Sequence, residues 1–178
     1  MQPGGRKFTT KSPCRAALWR AVLVSPGLID KVSMKKDVRA YRLQAGEGVA
    51  GFECGVKASV SSTAGAFTLI ESRTAGGAPW HVHSREDEYF YVVEGEISVS
   101  CGRETFHAGS RSFVFLPRNV PHAWDVKSGK ATVLMMTVPG MLEEFLREFH
   151  AAMPDQKDAV AKKYGVTFFP GRPTDLGK

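Results

Sequence analysis

From Ala66 to Val138 the chain is a succession of short apolar stretches, each ended by turn residues and restarted about ten residues later. That spacing leaves no length for a helix between strands, so a parallel βαβ architecture is excluded and an antiparallel sandwich or barrel is required. The pattern predicts strands over 66–72, 89–93, 97–101, 113–116, 122–126 and 131–138, with a further edge strand over 38–43. Residues 89–93 are apolar on both faces, which predicts a strand buried on both sides. Turns are expected at Glu94-Gly95, Gly102-Arg103, Ala108-Gly109, the rigid stretch "PRNVP" and Ser128-Gly129. Closing such a sheet into a small barrel removes its unpaired edges.

Beyond Gly140 the period changes. Met141, Leu142, Phe145, Leu146, Phe149, Ala152 and Met153 recur at helical spacing, with Glu143, Glu144, Arg147 and Glu148 on the opposite face. Pro154 should stop this helix, and Asp155 with Asp158 should cap a second one ending at Tyr164-Gly165. The fold class expected is therefore all-β, with C-terminal helices over about 140–164 covering the barrel.

A chain of 178 residues, 43% of them hydrophobic, fits one globular domain. The net charge of +6 invites a nucleic-acid reading, but its distribution argues against one. Residues 1–33 hold six basic side chains against Asp30 alone and so carry +5 of that charge, leaving a nearly neutral body from Met34 to the end. Residues 1–33 are expected to be a basic arm appended to a domain spanning 34–178. A translation start upstream of the true one at Met34 and a tail without fixed structure are the favoured readings, and organelle targeting is the third. Cys14, Cys54 and Cys101 form no CxxC pair, so no disulfide framework or cysteine zinc site is expected and a reduced, cytoplasmic setting is. No apolar run approaches the roughly 20 residues of a spanning helix. No membrane and no nucleic-acid partner is expected.

The stretch "HVHSREDEYFYVVEGE", residues 81–96, interrupts this apolar pattern with ionisable groups. In a strand, side chains two apart share a face and lie about 6.6 Å apart at the backbone, so His81 and His83 both reach one ion held at about 2.1 Å. Ser84 to Asp87 let the chain reverse, bringing Glu88 alongside on the next strand, on the face shared by Phe90 and Val92. A carboxylate on that face must be paired, protonated or ligated. A fourth group is offered by "PRNVPHAW", where His122 follows Pro121 and shares a face with Trp124, and barrel closure would carry it across to the first three. Three imidazoles and one carboxylate suit one divalent transition metal ion, Fe, Mn, Co, Ni, Cu or Zn, and leave one or two positions open. His107, at a strand end, and His150, near the end of the amphipathic helix, read as solvated.

The stretch resembles the first motif of the cupin superfamily: HxH, four residues, Glu, six residues, Gly, met by His81, His83, Glu88 and Gly95. The second motif, Pro, x, Gly, two residues, His, is met by Pro117 and His122, with Asn119 in the glycine place. Ala75 stands where the first motif opens on Gly, Arg111 where the second does, and Val126 where it closes on Asn; these are turn positions and leave the ligands intact. The segments "VKASVSSTAGAFTLIES", "EDEYFYVVEGE" and "FVFLPRNVPHAW" look like bacterial single-domain cupins of the quercetin 2,3-dioxygenase-like kind, over about residues 46–138. The resemblance implies a double-stranded β-helix, or jelly-roll barrel, a homodimer, and a metal held by His81, His83, Glu88 and His122.

It also implies a small-molecule substrate: a flavonol, catechol or related enol, cleaved by a dioxygenase in which Glu88 is base as well as ligand. Phe90, Val92, Phe113, Phe115 and Trp124 are the pocket candidates, of which at most one alternating set faces inward. A non-oxidative metal cupin acting on a polyketide- or sugar-like substrate as isomerase, cyclase or decarboxylase is the second reading. A binding cupin without catalysis is the third.

Overall fold

The computed structural model describes residues 38–49 and 55–174, so the expected basic arm over 1–33 lies outside the described residues. Ten strands are described: β1 (Val56–Ala58), β2 (Thr68–Thr74), β3 (Ala78–His83), β4 (Asp87–Glu94), β5 (Glu96–Cys101), β6 (Glu104–Gly109), β7 (Phe113–Leu116), β8 (His122–Val126), β9 (Ala131–Val138) and β10 (Val166–Phe168). A one-turn helix α1 (Val60–Thr63) follows β1, and α2 (Leu142–Ala151), a 3-10 turn (Pro154–Gln156) and α3 (Lys157–Tyr164) lie between β9 and β10. The strands form two antiparallel five-stranded sheets, ordered β1-β2-β9-β4-β7 and β10-β3-β8-β5-β6. Successive strands from β2 to β9 cross between the sheets at nearly every step, the jelly-roll form of a double-stranded β-helix.

The period-2 pattern explains the interior. Phe90 and Val92 of β4, Ile97 and Val99 of β5 and Val133 of β9 are fully buried, and the Phe90 and Trp124 rings meet edge to face at 5.3 Å. Each such side chain contributes about 1.5–3 kcal/mol through burial. A second cluster, Val56, Ile70, Leu142, Phe145, Ala161, Tyr164 and Val166, packs the apolar stripe of α2 over one end of the barrel. The buried Glu143 fastens that helix by accepting hydrogen bonds from the Val60 amide and the Thr68 hydroxyl. Among the described residues no helix is long and apolar enough to cross a membrane.

Several expectations need correction. Residues 38–43 pair with no strand; the segment runs exposed past β1, where the Tyr41 hydroxyl donates to the Lys57 carbonyl at 2.7 Å. Strand β4 is buried on one face only, because its other face is the outside of the sheet: Tyr91 is 42% and Val93 46% exposed. Strand β6 runs through Ala108 and Gly109, and the chain reverses after them with Arg111 at φ 68°. Neither Asp155 nor Asp158 caps α3; the 3-10 turn begun by Pro154 delivers Gln156 to that place, without a side-chain cap. Other turns form as expected: Asn119 takes the left-handed conformation at φ 64° in its glycine place, and Gly165 ends α3 at φ 75°.

The connection between β2 and β3 passes under Trp124 with no room to spare. A Cβ on Gly77 would lie 1.8 Å from the Trp124 carbonyl oxygen, whereas one on the neighbouring Gly76 would meet nothing within 4 Å. Gly77→Ala should therefore destabilise the protein by about 1–3 kcal/mol, and Gly76→Ala by less than about 0.5 kcal/mol. Urea unfolding of the two variants side by side checks this.

Candidate metal centre

The alternation of β3 turns His81 and His83 inward together, and both are buried, at 6% and 2% exposure. Strand β8 is the antiparallel neighbour of β3, in a register that sets His122 directly opposite His81. Glu88 comes from the other sheet, on β4, between Leu116 of β7 and Thr137 of β9. The roles expected of Glu88 and His122 are thus exchanged. His122 is the lateral neighbour of the histidine pair, and Glu88 reaches them across the barrel, because Ser84 to Glu86 carry the chain from one sheet to the other.

One ligand atom from each of His81, His83, Glu88 and His122 lies within 4.8 Å of all the others. The His122 Nε2 is 3.1 Å and the His83 Nε2 3.9 Å from Glu88 Oε2. The His81 ring centroid is 4.4 Å from that of His122 and 5.0 Å from that of His83. The Nδ1 of His81 donates to the Pro79 carbonyl at 2.7 Å, and that of His122 to the Val120 carbonyl at 3.0 Å. These bonds place a proton on Nδ1 of both rings and turn Nε2 inward, that of His81 as a free lone pair and that of His122 against Glu88 Oε2. Both ring nitrogens of His83 are buried without a hydrogen bond.

Burial pushes the His81 imidazole down to about 4, the neighbouring His122 pushing the same way, and burial lowers His83 too. Burial would raise the Glu88 carboxyl, but the hydrogen bond from His122 and the facing imidazoles outweigh it and hold the group below its ordinary range. A carboxylate and three imidazoles aimed at one point, with a bare buried His83 Nε2 among them, form a borderline N/O donor set that fits a divalent transition metal ion and suits calcium or magnesium poorly.

A cavity of about 530 Å³ opens onto His81, His83 and Glu88. Of the pocket candidates, only Trp124 lines it. Phe90 and Val92 face the packed core beside it, and Phe113 and Phe115 are corrected to the outer face of the sheet, where they are 64% and 48% exposed. The wall also takes in Met135 of β9, Phe145, Phe149 and His150 of α2, and Phe168 of β10, whose ring lies 5.8 Å from that of His81. The helical stripe that marked α2 as barrel cover was the available signal for Phe145 and Phe149. His150 is exposed as expected, yet it also borders the cavity. His107 is solvated, its Nδ1 3.1 Å from Glu96.

Residues 69–139 match the model of the family described as the Cupin domain. The quercetin 2,3-dioxygenase of Bacillus subtilis is 26% identical over 113 residues, which are 60% of this chain and 34% of that enzyme. Among solved structures, a cupin-2 domain containing protein from Shewanella frigidimarina is 22% identical, with a TM-score of 0.37 over 41% of this chain and 70% of that one. KdgF from Halomonas is 17% identical, with a TM-score of 0.42 over 48% of this chain and 76% of that one.

The lowered imidazoles give the metal-free protein a pH dependence of known sign. An unfolded His81 binds its proton near 6.5 and the folded one only near 4. Between those values the unfolded chain holds more protons, so this contribution is complete above pH 6.5 and is lost as the pH falls towards 4. Glu86 works the other way, its carboxyl being pushed up to about 8 by burial and by Glu88, so its contribution is lost as the pH rises from 4.5 to 8. Comparing wild type with His81→Gln isolates the first effect. In chelated protein the urea midpoint of wild type should gain on that of the variant from pH 4 to 6.5, and a constant difference would contradict the assignment.

Proposed function

We propose that this is a cupin-superfamily protein resembling quercetin 2,3-dioxygenase, in which His81, His83, Glu88 and His122 hold one divalent transition metal ion of a dioxygenase acting on a flavonol, catechol or related enol. The observation that carries this reading is the convergence of three imidazoles and one carboxylate on a point that opens into an apolar, aromatic-walled cavity. The activity in the name of the Bacillus relative supports the oxidative form.

A bound metal would supply a Lewis-acidic position for an enol or phenol oxygen. Glu88 is placed to take the proton from that oxygen, because its carboxylate is kept charged by His122 and borders the cavity. Trp124, Phe145, Phe149 and Phe168 offer flat apolar faces that hold an aromatic ring and exclude water. The enolate so formed is electron-rich and open to attack by O2. We read the protein as cytoplasmic and homodimeric, with the exposed apolar face around Tyr91, Val93, Phe113 and Phe115 as the surface available to a second copy.

Elemental analysis of protein purified without added metal, followed by oxygen-electrode assays with flavonols and catechols, tests the proposal. About one transition metal ion per chain and substrate-dependent oxygen uptake are expected. His122→Ala should lose the metal, and Glu88→Gln should lower turnover by at least about 100-fold. Turnover without oxygen uptake would replace the oxidative reading by the isomerase, cyclase or decarboxylase one. A metal bound with no turnover of any compound that ligates it would leave a binding protein.

A further inference from the structure

The three imidazoles are not held alike. His81 and His122 each have Nδ1 tied to a main-chain carbonyl two residues upstream on the same side of the barrel, which turns Nε2 towards the centre. His83 has no such tie, although it is only 2% exposed and both of its ring nitrogens are buried without a hydrogen bond. A buried imidazole left so is costly, and a ring free to turn about its Cβ is a poor ligand. The group facing its Nδ1 is the carboxylate of Glu86, with Oε1 at 3.6 Å. Glu86 is itself 3% exposed and sits on the connection between β3 and β4, one residue before the latter strand begins. The proposed reaction does not use it, and the polar side chains beside it are the Thr137 hydroxyl and the His83 imidazole.

The geometry points to Glu86 as the positioning residue of His83, its carboxyl oxygen accepting a hydrogen bond from Nδ1–H and so presenting Nε2 to a metal ion. At 3.6 Å the pair lies just beyond hydrogen-bond length. The three histidines would then be oriented by three acceptors, two carbonyls and one carboxyl oxygen. The side-chain acceptor falls on the histidine whose ring nitrogens have no hydrogen bond with the backbone. Glu86 touches neither substrate nor metal in this account and acts through His83 alone. The inference rests on the metal-centre reading.

Its test is metal affinity, measured by competition with a chelator for zinc on full-length wild type and Glu86→Gln, with the visible absorption of the cobalt-substituted proteins as the second readout. Glu86→Gln should weaken zinc binding by about 10–100-fold and shift the cobalt bands, while the thermal midpoint of the metal-free protein does not track the loss. Wild-type binding with an unchanged variant, in affinity and spectrum, would overturn the role of Glu86 and leave the metal centre standing. Wild type that binds neither ion would overturn both. If Glu86→Gln does not fold, long-range proton–nitrogen correlation spectra of zinc-loaded wild type decide. A proton on His83 Nδ1 with the metal on Nε2 supports the inference, and the reverse tautomer sinks it.

Discussion

A carboxylate buried in a β-barrel is tolerable only if something answers its charge, and in this protein the groups gathered around it are three imidazoles, one of them hydrogen-bonded to it. Taking Glu88 out of water costs several kcal/mol unless its oxygens are hydrogen-bonded or ligated. The His122 contact at 3.1 Å supplies part of that compensation. The same burial that penalises the carboxylate penalises the imidazolium, so His81 and His83 are held in the neutral form that donates a lone pair. Both effects favour a cation at the centre, since an ion there satisfies the carboxylate and the bare His83 nitrogen together.

The fold brings these groups together by two different routes. Strand pairing does the lateral work, because antiparallel register between β3 and β8 sets His122 against His81 whatever the loops do. The jelly-roll crossing does the rest, carrying Glu88 to the opposing sheet so that its side chain meets the histidines face to face. The C-terminal unit then finishes the site. Helix α2 lays Phe145 and Phe149 over the cavity, and β10 returns to pair with β3, placing Phe168 across from His81. Glu143 links α2 to the start of β2, so the cover and the barrel are joined by a buried carboxylate as well as by apolar contact.

Much of this was legible in the chain. The positions of β7, β8 and β9 follow from alternation bounded by glycine and proline, and the four donors follow from the fact that so few residue types ligate a metal. Which sheet each strand joins was not legible, because period 2 gives the face of a strand and not its partner; hence Glu88 and His122 exchanged roles. Phe113 and Phe115 illustrate the same gap. An apolar pair at alternate positions reads as core, but Val114 and Leu116 hold that face and the aromatic rings stack on Tyr89 outside. Glu86 escaped notice because an acid among acids in a turn looks solvated, and only coordinates reveal that it is buried against His83.

The central claim is that the cluster grips one ion through all four side chains. X-ray absorption fine structure at the edge of the bound metal measures that directly. The account predicts a shell of nitrogen and oxygen near 2.1 Å with the outer-shell scattering of three imidazoles. A spectrum showing one imidazole or none, or a shell of water oxygens alone, would contradict it.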